Sequence, residues 1–250
     1  MLWHIFRGIP LVIKGNSEKG HRHKKGDLCA PAKGKADAMA DYTFFFNPMS
    51  RAQIARWALH EAGADYEPVL VMWDDKPQAL LDANPLGKLP TIIHHHGGHD
   101  HVVTEAAAVC HYIAEMSAPE LLPRDEEKAD DFRWLFFASG PLEAAATAKA
   151  FGFDSGDDPK KRMTVGWGSY DLAVDALDGW FQGHDYVCGD RFTMADVYVG
   201  SQVDWGQQFG TIPARDSLAA YAERIRERDA YKAGKAIDNP LMEQLMAQQG

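Results

Sequence analysis

The sequence predicts a chain in two parts, an α/β region in the order βαβ-ββα followed by an all-α region. Strand and helix signals alternate from Tyr42 to about Met116, and strand signals almost vanish after Leu121-Leu122-Pro123. At 250 residues, 46% of them hydrophobic, the chain is long enough for two cores. The expected boundaries are 40–120 for the sheet region and 125–245 for the helical region, with residues 1–38 belonging to neither.

Taken in order, Tyr42 to Phe46 reads as an aromatic-rich strand. Pro48-Met49-Ser50-Arg51 turns the chain into a helix with Ile54, Trp57 and Ala58 on one face, and Tyr66 to Met72 supplies a second strand. After Pro90, Thr91 to Ile93 and Val102-Val103 read as strands joined at Gly97-Gly98. His94, His95, His96, His99 and His101 then fall mostly on a solvated hairpin tip, where a metal is not expected. Val109, Tyr112, Ile113 and Met116, at i, i+3, i+4 and i+7, mark a helix with Cys110 buried in it as a small apolar residue. This order of elements is thioredoxin-like. In the second half, Phe132, Leu135 and Phe136, then Tyr170, Ala173, Val174, Leu177 and Phe181, form helical stripes, with breaks at Gly152 to Pro159 and Gly183 to Gly189. At Phe192-Thr193-Met194-Ala195-Asp196-Val197, Thr193 caps a helix, Asp196 reaches back to the Thr193 N–H, and Phe192 staples against Val197.

The formal net charge is -10, which argues against nucleic acid as a main partner, because phosphate neutralisation needs a basic surface. No run approaches the roughly 18 apolar residues of a membrane span, so a soluble protein with small-molecule ligands is expected. The first 38 residues carry +5 and the remainder -15, a shift that marks a boundary. Their longest apolar run, Ile9 to Ile13, is shorter than a signal-peptide core of roughly 7–15 residues. A disordered basic leader is expected, with Met39 as the natural start; an organelle-targeting leader is the rival, opposed by Glu18 and Asp27. Cys29, Cys110 and Cys188 are odd in number and widely spaced, without zinc or dithiol spacing, which fits a reducing cytoplasm.

The segment Asn84-Pro85-Leu86-Gly87-Lys88-Leu89-Pro90-Thr91 carries the strongest functional signal. A proline ahead of β-branched Thr91 and Ile92 reaches the cis bond at a cost of about 0.5–1 kcal/mol, and Leu89 would then offer its N–H and C=O to a ligand. An extended, peptide-like ligand would pair there as an added strand does, with its anionic end on the helix N-terminus opening near Glu105. With Thr104-Glu105-Ala106-Ala107-Ala108 downstream, a helical region and the box at Thr193, the chain from about Tyr42 to about Ala236 resembles the soluble glutathione S-transferases. The resemblance is to bacterial serine-type members, whose Asn-Pro-X-Ser-Arg turn is similar to Asn47-Pro48-Met49-Ser50-Arg51.

The resemblance implies a glutathione-binding thioredoxin-like domain, a helical domain forming the electrophile site, and a homodimer serving detoxification. Conjugation needs the glutathione thiol, of unperturbed pKa about 8.5, ionised near neutral pH, and a hydroxyl at a helix N-terminus favours the thiolate. Ser50 is the implied donor, with Asn47 in reserve; the alternative is that Ser50 only caps its helix. Phe45 or Phe46 stands where a tyrosine-type member carries tyrosine, and no cysteine lies between Tyr42 and Trp57, which counts against thiol-transfer chemistry. Leu89 and Pro90 would hold the cysteinyl backbone, Glu105 and the N–H of Ala106 the γ-glutamyl end, and Lys76 the glycyl carboxylate. Ala106 stands where most members have serine, losing a bond of roughly 0.5–1.5 kcal/mol, and Asp229 replaces a common proline. Met49, Arg133, Trp134 and Phe137 would line the site for apolar electrophiles, with no metal required. A non-catalytic glutathione- or ligand-binding protein, and a glutathione-dependent peroxidase or dehalogenase, remain the alternatives.

Overall fold

Four aromatic residues within Tyr42–Phe46 (β1) suit a strand covered on both faces, and this strand runs through the middle of a four-stranded sheet of order β2-β1-β3-β4. The protein is described here over residues 40–248 by a computed structural model. The expectations for residues 1–38 and for Met39 lie outside those residues. β2 (Tyr66–Leu70) pairs parallel with β1, Tyr42 facing Tyr66, while β3 (Thr91–His96) pairs antiparallel, Tyr42 facing His94. β4 (His99–Thr104) closes a hairpin with β3, and α1 (Ala52–Glu61), α2 (Gln78–Ala83) and α3 (Ala106–Ser117) complete the βαβ-ββα order. Alternation along β1 sends Tyr42, Phe44 and Phe46 into the main core and Phe45 to the opposite face, against Val71 and Leu80.

The helical half comprises α4 (Lys128–Phe137), a π-helical turn (Ala138–Leu142), α5 (Glu143–Phe151), α6 (Pro159–Thr164), α7 (Tyr170–Phe181), α8 (Met194–Gln208), α9 (Asp216–Arg226) and α10 (Asp229–Ala247). α8 is central, with Val197, Tyr198, Val199 and Val203 at most 2% exposed. A Cβ on its Gly206 would come within 2.5 Å of Ile212, so only glycine permits that approach. The capping box is present, with Asp196 accepting the Thr193 N–H at 2.8 Å. The same carboxylate also takes the Val187 N–H and the Tyr221 hydroxyl.

α10 packs along α1 and is laced to it by charge. Arg56 Nε donates to Asp238 at 2.9 Å, both side chains being 2% exposed, and the Arg56 guanidinium lies 4.3 Å above the Phe46 ring. Lys235 donates to Gln53 at 2.7 Å, Arg228 forms a two-pronged pair with Glu61 at 2.6 and 2.7 Å, and Tyr231 meets Trp57 edge-on at 5.1 Å. Asp229 begins α10, where its charge suits the positive end of the helix.

Three expectations need correction. The histidines lie in the paired strands rather than in the turn, with His96, His99 and His101 exposed beside it as expected and His94 buried. Gly97 and Gly98, at φ 62° and 79°, make a two-residue turn, so His94 pairs with His101 and His96 with His99 inside the ladder. Phe132 and Phe136 are 49% and 66% exposed, because α4 buries Asp131 and Trp134 beside Leu135 instead. On α3, Met116 is exposed and the buried stripe is Val109, Cys110, Ile113 and Ala114.

Candidate active site

The end of β1 enters α1 through a turn built on Asn47. This side chain is fully buried, donating to the Val71 carbonyl at 2.9 Å and accepting the Met49 N–H at 2.9 Å. Its amide therefore holds the turn to the strand end beyond β2. Ser50 Oγ donates to the Asn47 carbonyl at 2.7 Å and accepts the Ala52 N–H at 3.1 Å, so the hydroxyl serves the helix start in this structure. The next N–H, that of Arg51, has no partner among the described residues. A half-buried hydroxyl and a free N–H thus adjoin at the positive end of α1. The Pro48 carbonyl accepts a hydrogen bond from Gln53 Nε2, which completes the turn.

The second edge of the site is the loop before β3. Asn84 donates to the Lys88 carbonyl at 3.2 Å and to Thr91 Oγ1 at 3.1 Å, and Thr91 Oγ1 donates to the same carbonyl at 2.9 Å. These bonds fix the chain around Leu89-Pro90, whose peptide bond is cis. Neither the N–H nor the C=O of Leu89 has a hydrogen-bond partner among the described residues, although Thr91 to His94 just beyond it pair with β1. Lys76 reaches this loop; a Cβ placed on Gly87 would lie 3.1 Å from its Nζ. Its ammonium makes no ion pair or side-chain hydrogen bond among the described residues.

Glu105 sits at the head of α3 with φ 64° and ψ 115°, and apart from glycines no other described residue has positive φ. Such a backbone costs roughly 1–3 kcal/mol in a residue with a side chain and persists where surrounding structure enforces it, commonly at ligand sites. The N–H groups of Ala106, Ala107 and Ala108 are left without acceptors at this helix start among the described residues. They form an anion cradle of backbone donors.

Of the residues expected for an electrophile, Met49 is half-buried on the α1 turn and Phe137 half-buried on α4. Trp134 is 2% exposed and packs at 5.3 Å from Trp180, inside the helical core. Arg133 is exposed, its guanidinium 4.6 Å above the Trp134 ring. The sequence reading missed Glu143, whose Oε1 lies 2.5 Å from Arg51 Nη2 beside the turn. Its signal was Gly140-Pro141, a break inside a helical run, which coincides with the π turn. Among the described residues no group of three or more His, Cys, Asp or Glu side chains is arranged to hold a metal ion.

Residues 48–116 match the N-terminal domain of glutathione S-transferases, and residues 169–229 match their C-terminal domain. The chain belongs to the glutathione S-transferase family. Among curated relatives of this chain, the disulfide-bond oxidoreductase YghU of Escherichia coli (strain K12) is 27% identical over 75% of this chain and 70% of its own. A probable glutathione S-transferase of Nicotiana tabacum is 28% identical over 62% of this chain, which spans 65% of that relative. A sphingomonad glutathione S-transferase solved with glutathione has 25% identity and a TM-score of 0.62, over 79% of this chain and 98% of its own. The fold is shared with the glutathione transferase of Methylococcus capsulatus (Bath), at 23% identity, TM-score 0.64, and the same 79% and 98% coverage.

Proposed function

We propose that the chain is a glutathione-dependent transferase that conjugates glutathione to small apolar electrophiles. The observation that carries this reading is the unpaired Leu89 backbone, able to pair with an extended ligand whose γ-glutamyl end would meet the α3 donors and whose sulfur would meet the α1 donors. In this reading Leu89 and Pro90 hold the cysteinyl backbone, Glu105 and the Ala106 N–H hold the γ-glutamyl end, and unpaired Lys76 takes the glycyl carboxylate. The sulfur lies at the start of α1. The Arg51 N–H donates to it directly, and Ser50 turns its hydroxyl from the Asn47 carbonyl to the thiolate. Asn47 acts through the shape of the turn.

The sulfur anion then attacks an electrophilic carbon, forming a C–S bond as the leaving group departs with the electron pair; the thiol proton has passed to solvent. Met49 and Phe137 furnish apolar contact, Arg133 charge at the rim, and Trp134 a rigid support behind them. The sheet region supplies glutathione binding and the helical region the electrophile side. The proposal includes a cytosolic homodimer whose copies meet on the apolar groove lined by Val103, Ala107, Leu135 and Phe136. A second reading is glutathione-dependent disulfide exchange, favoured by the name of the Escherichia coli relative. It would run by attack of the bound glutathione thiolate on a substrate disulfide, forming a mixed disulfide as the other sulfur leaves as thiolate, because the α1 turn carries no cysteine.

Calorimetry with glutathione and a rate assay with an activated aryl halide test the proposal. Ser50→Ala is expected to lower kcat at least about tenfold with glutathione affinity within about threefold, as loss of one transition-state donor does. Binding without turnover across a panel of aryl halides, peroxides and disulfides would instead identify a ligand carrier.

A further inference from the structure

The turn at the head of α1 is tied to the helical half by an ionic chain that the proposed reaction does not itself use. Arg51, adjacent to Ser50, carries both the free N–H and a guanidinium 2.5 Å from Glu143 Oε1. The other oxygen of Glu143 accepts hydrogen bonds from the Tyr198 hydroxyl at 2.9 Å and from Gln202 Nε2 at 3.5 Å. Tyr198 is 2% exposed on α8, the helix whose start is locked by the capping box, so the chain ends on a rigid element. Glu143 stands directly after the π turn, a device that re-aims the residues following it. An ordinary surface ion pair contributes about 0–1 kcal/mol and holds little in place. This one has its carboxylate gripped from behind by a buried tyrosine, so the Glu143 side of the pair is already ordered, while the Arg51 side chain is 48% exposed.

We propose that Glu143 is a positioning residue for the glutathione thiolate: through Arg51 it holds the Asn47–Arg51 turn against α8, keeping the Ser50 hydroxyl and the Arg51 N–H aimed at the sulfur. This rests on the glutathione reading above. Its sign is opposite to that of a direct electrostatic effect. As an anion, Glu143 acting by charge alone would oppose a nearby thiolate, and its removal would ease ionisation. Acting by position, its removal makes ionisation harder.

The test uses the full chain with glutathione and an activated aryl halide, in the wild type, Glu143→Ala, Glu143→Gln, Arg51→Ala and the double alanine variant. The readouts are glutathione affinity by calorimetry, the thiol pKa of bound glutathione by thiolate ultraviolet absorbance, and kcat separately from KM. Glu143→Ala is expected to raise the bound-thiol pKa by about one unit and lower kcat about tenfold at neutral pH, with KM for glutathione changed by less than about threefold. Glu143→Gln, which keeps a neutral hydrogen bond to Arg51, falls between it and the wild type. The double variant is no worse than Arg51→Ala, because both substitutions cut the same chain. A bound-thiol pKa that is unchanged or lower in Glu143→Ala, or additive losses in the double variant, overturns the proposal. If Glu143→Ala does not fold, Tyr198→Phe, which frees the carboxylate while leaving the ion pair, is expected to lower kcat about threefold and raise the thiol pKa; no effect there overturns it as well. A wild-type chain that binds no glutathione sinks this proposal and the underlying reading together. Normal binding with unresponsive variants sinks this one alone.

Discussion

A buried carboxylate with an unpartnered oxygen costs free energy whenever it is ionised. Asp131 is 1% exposed, its Oδ2 lacks a partner, and burial pushes its pKa up to about 6. The unfolded value is about 3.9, so the folded state binds the proton more tightly and stability falls as pH rises between about 4 and 6. At pH 7 the whole penalty is present. Asp131→Asn is expected to stabilise the protein at pH 7.5 by about 1 kcal/mol and to remove part of the gain in Tm that the wild type shows on acidification to pH 5. Thermal melts of both proteins across that range check it; equal pH slopes would refute it. Asp196, also raised to about 6 by burial, is a different case, because Thr193, Val187 and Tyr221 donate to it. The role of Asp196 was readable because a capping box is a local rule linking four consecutive residues to one geometry. The burial of Asp131 was not, because the apolar stripe of Phe132, Leu135 and Phe136 pointed its helix the other way.

At the scale of elements, α1 depends on α10 for its buried charge. Arg56 sits among Phe44, Phe46 and Tyr66, with Asp238 as its ion partner. Removing one partner of such a pair costs about 3–5 kcal/mol, whereas replacing both with well-packed apolar groups is often neutral or stabilising. Asp238→Ala is therefore expected to destabilise the protein by about 3 kcal/mol or more, with Arg56→Met/Asp238→Leu recovering most of the loss in urea unfolding. Strands and helices were legible where periodicity or a glycine pair set them, as in β1, α7 and the Gly97-Gly98 turn. The extension of β3 and β4 through the histidines was hidden, since polar residues carry no burial signal until Tyr42 is seen stacking on His94 at 4.3 Å. The pairing of α1 with α10 was hidden for another reason, that its partners lie 182 residues apart and no local pattern links them.

For the whole molecule, the two halves share one core running from Tyr42 to Ile225, and the exposed Phe132 and Phe136 line an apolar groove outside it with Val103 and Ala107. Surface of that kind commonly marks an interface. Phe132→Glu/Phe136→Glu is expected to convert the proposed dimer to monomers in sedimentation without lowering the Tm of the monomer fold; an unchanged sedimentation coefficient would remove this face from consideration. The family and its fold were legible from the Pro90 segment and the Thr193 box. The ties across the halves were not, because they arise only once the chain is assembled. The Arg56 and Asp238 contact also ties completion of the fold to the order of synthesis. A ribosome releases the sheet and α1 long before Asp238 emerges, so the nascent sheet region carries an uncompensated cation among aromatic rings and an uncovered flank along α1. The segment that would grip the ligand is made first and finished last, and an isolated fragment ending near residue 120 would never reach that completed state.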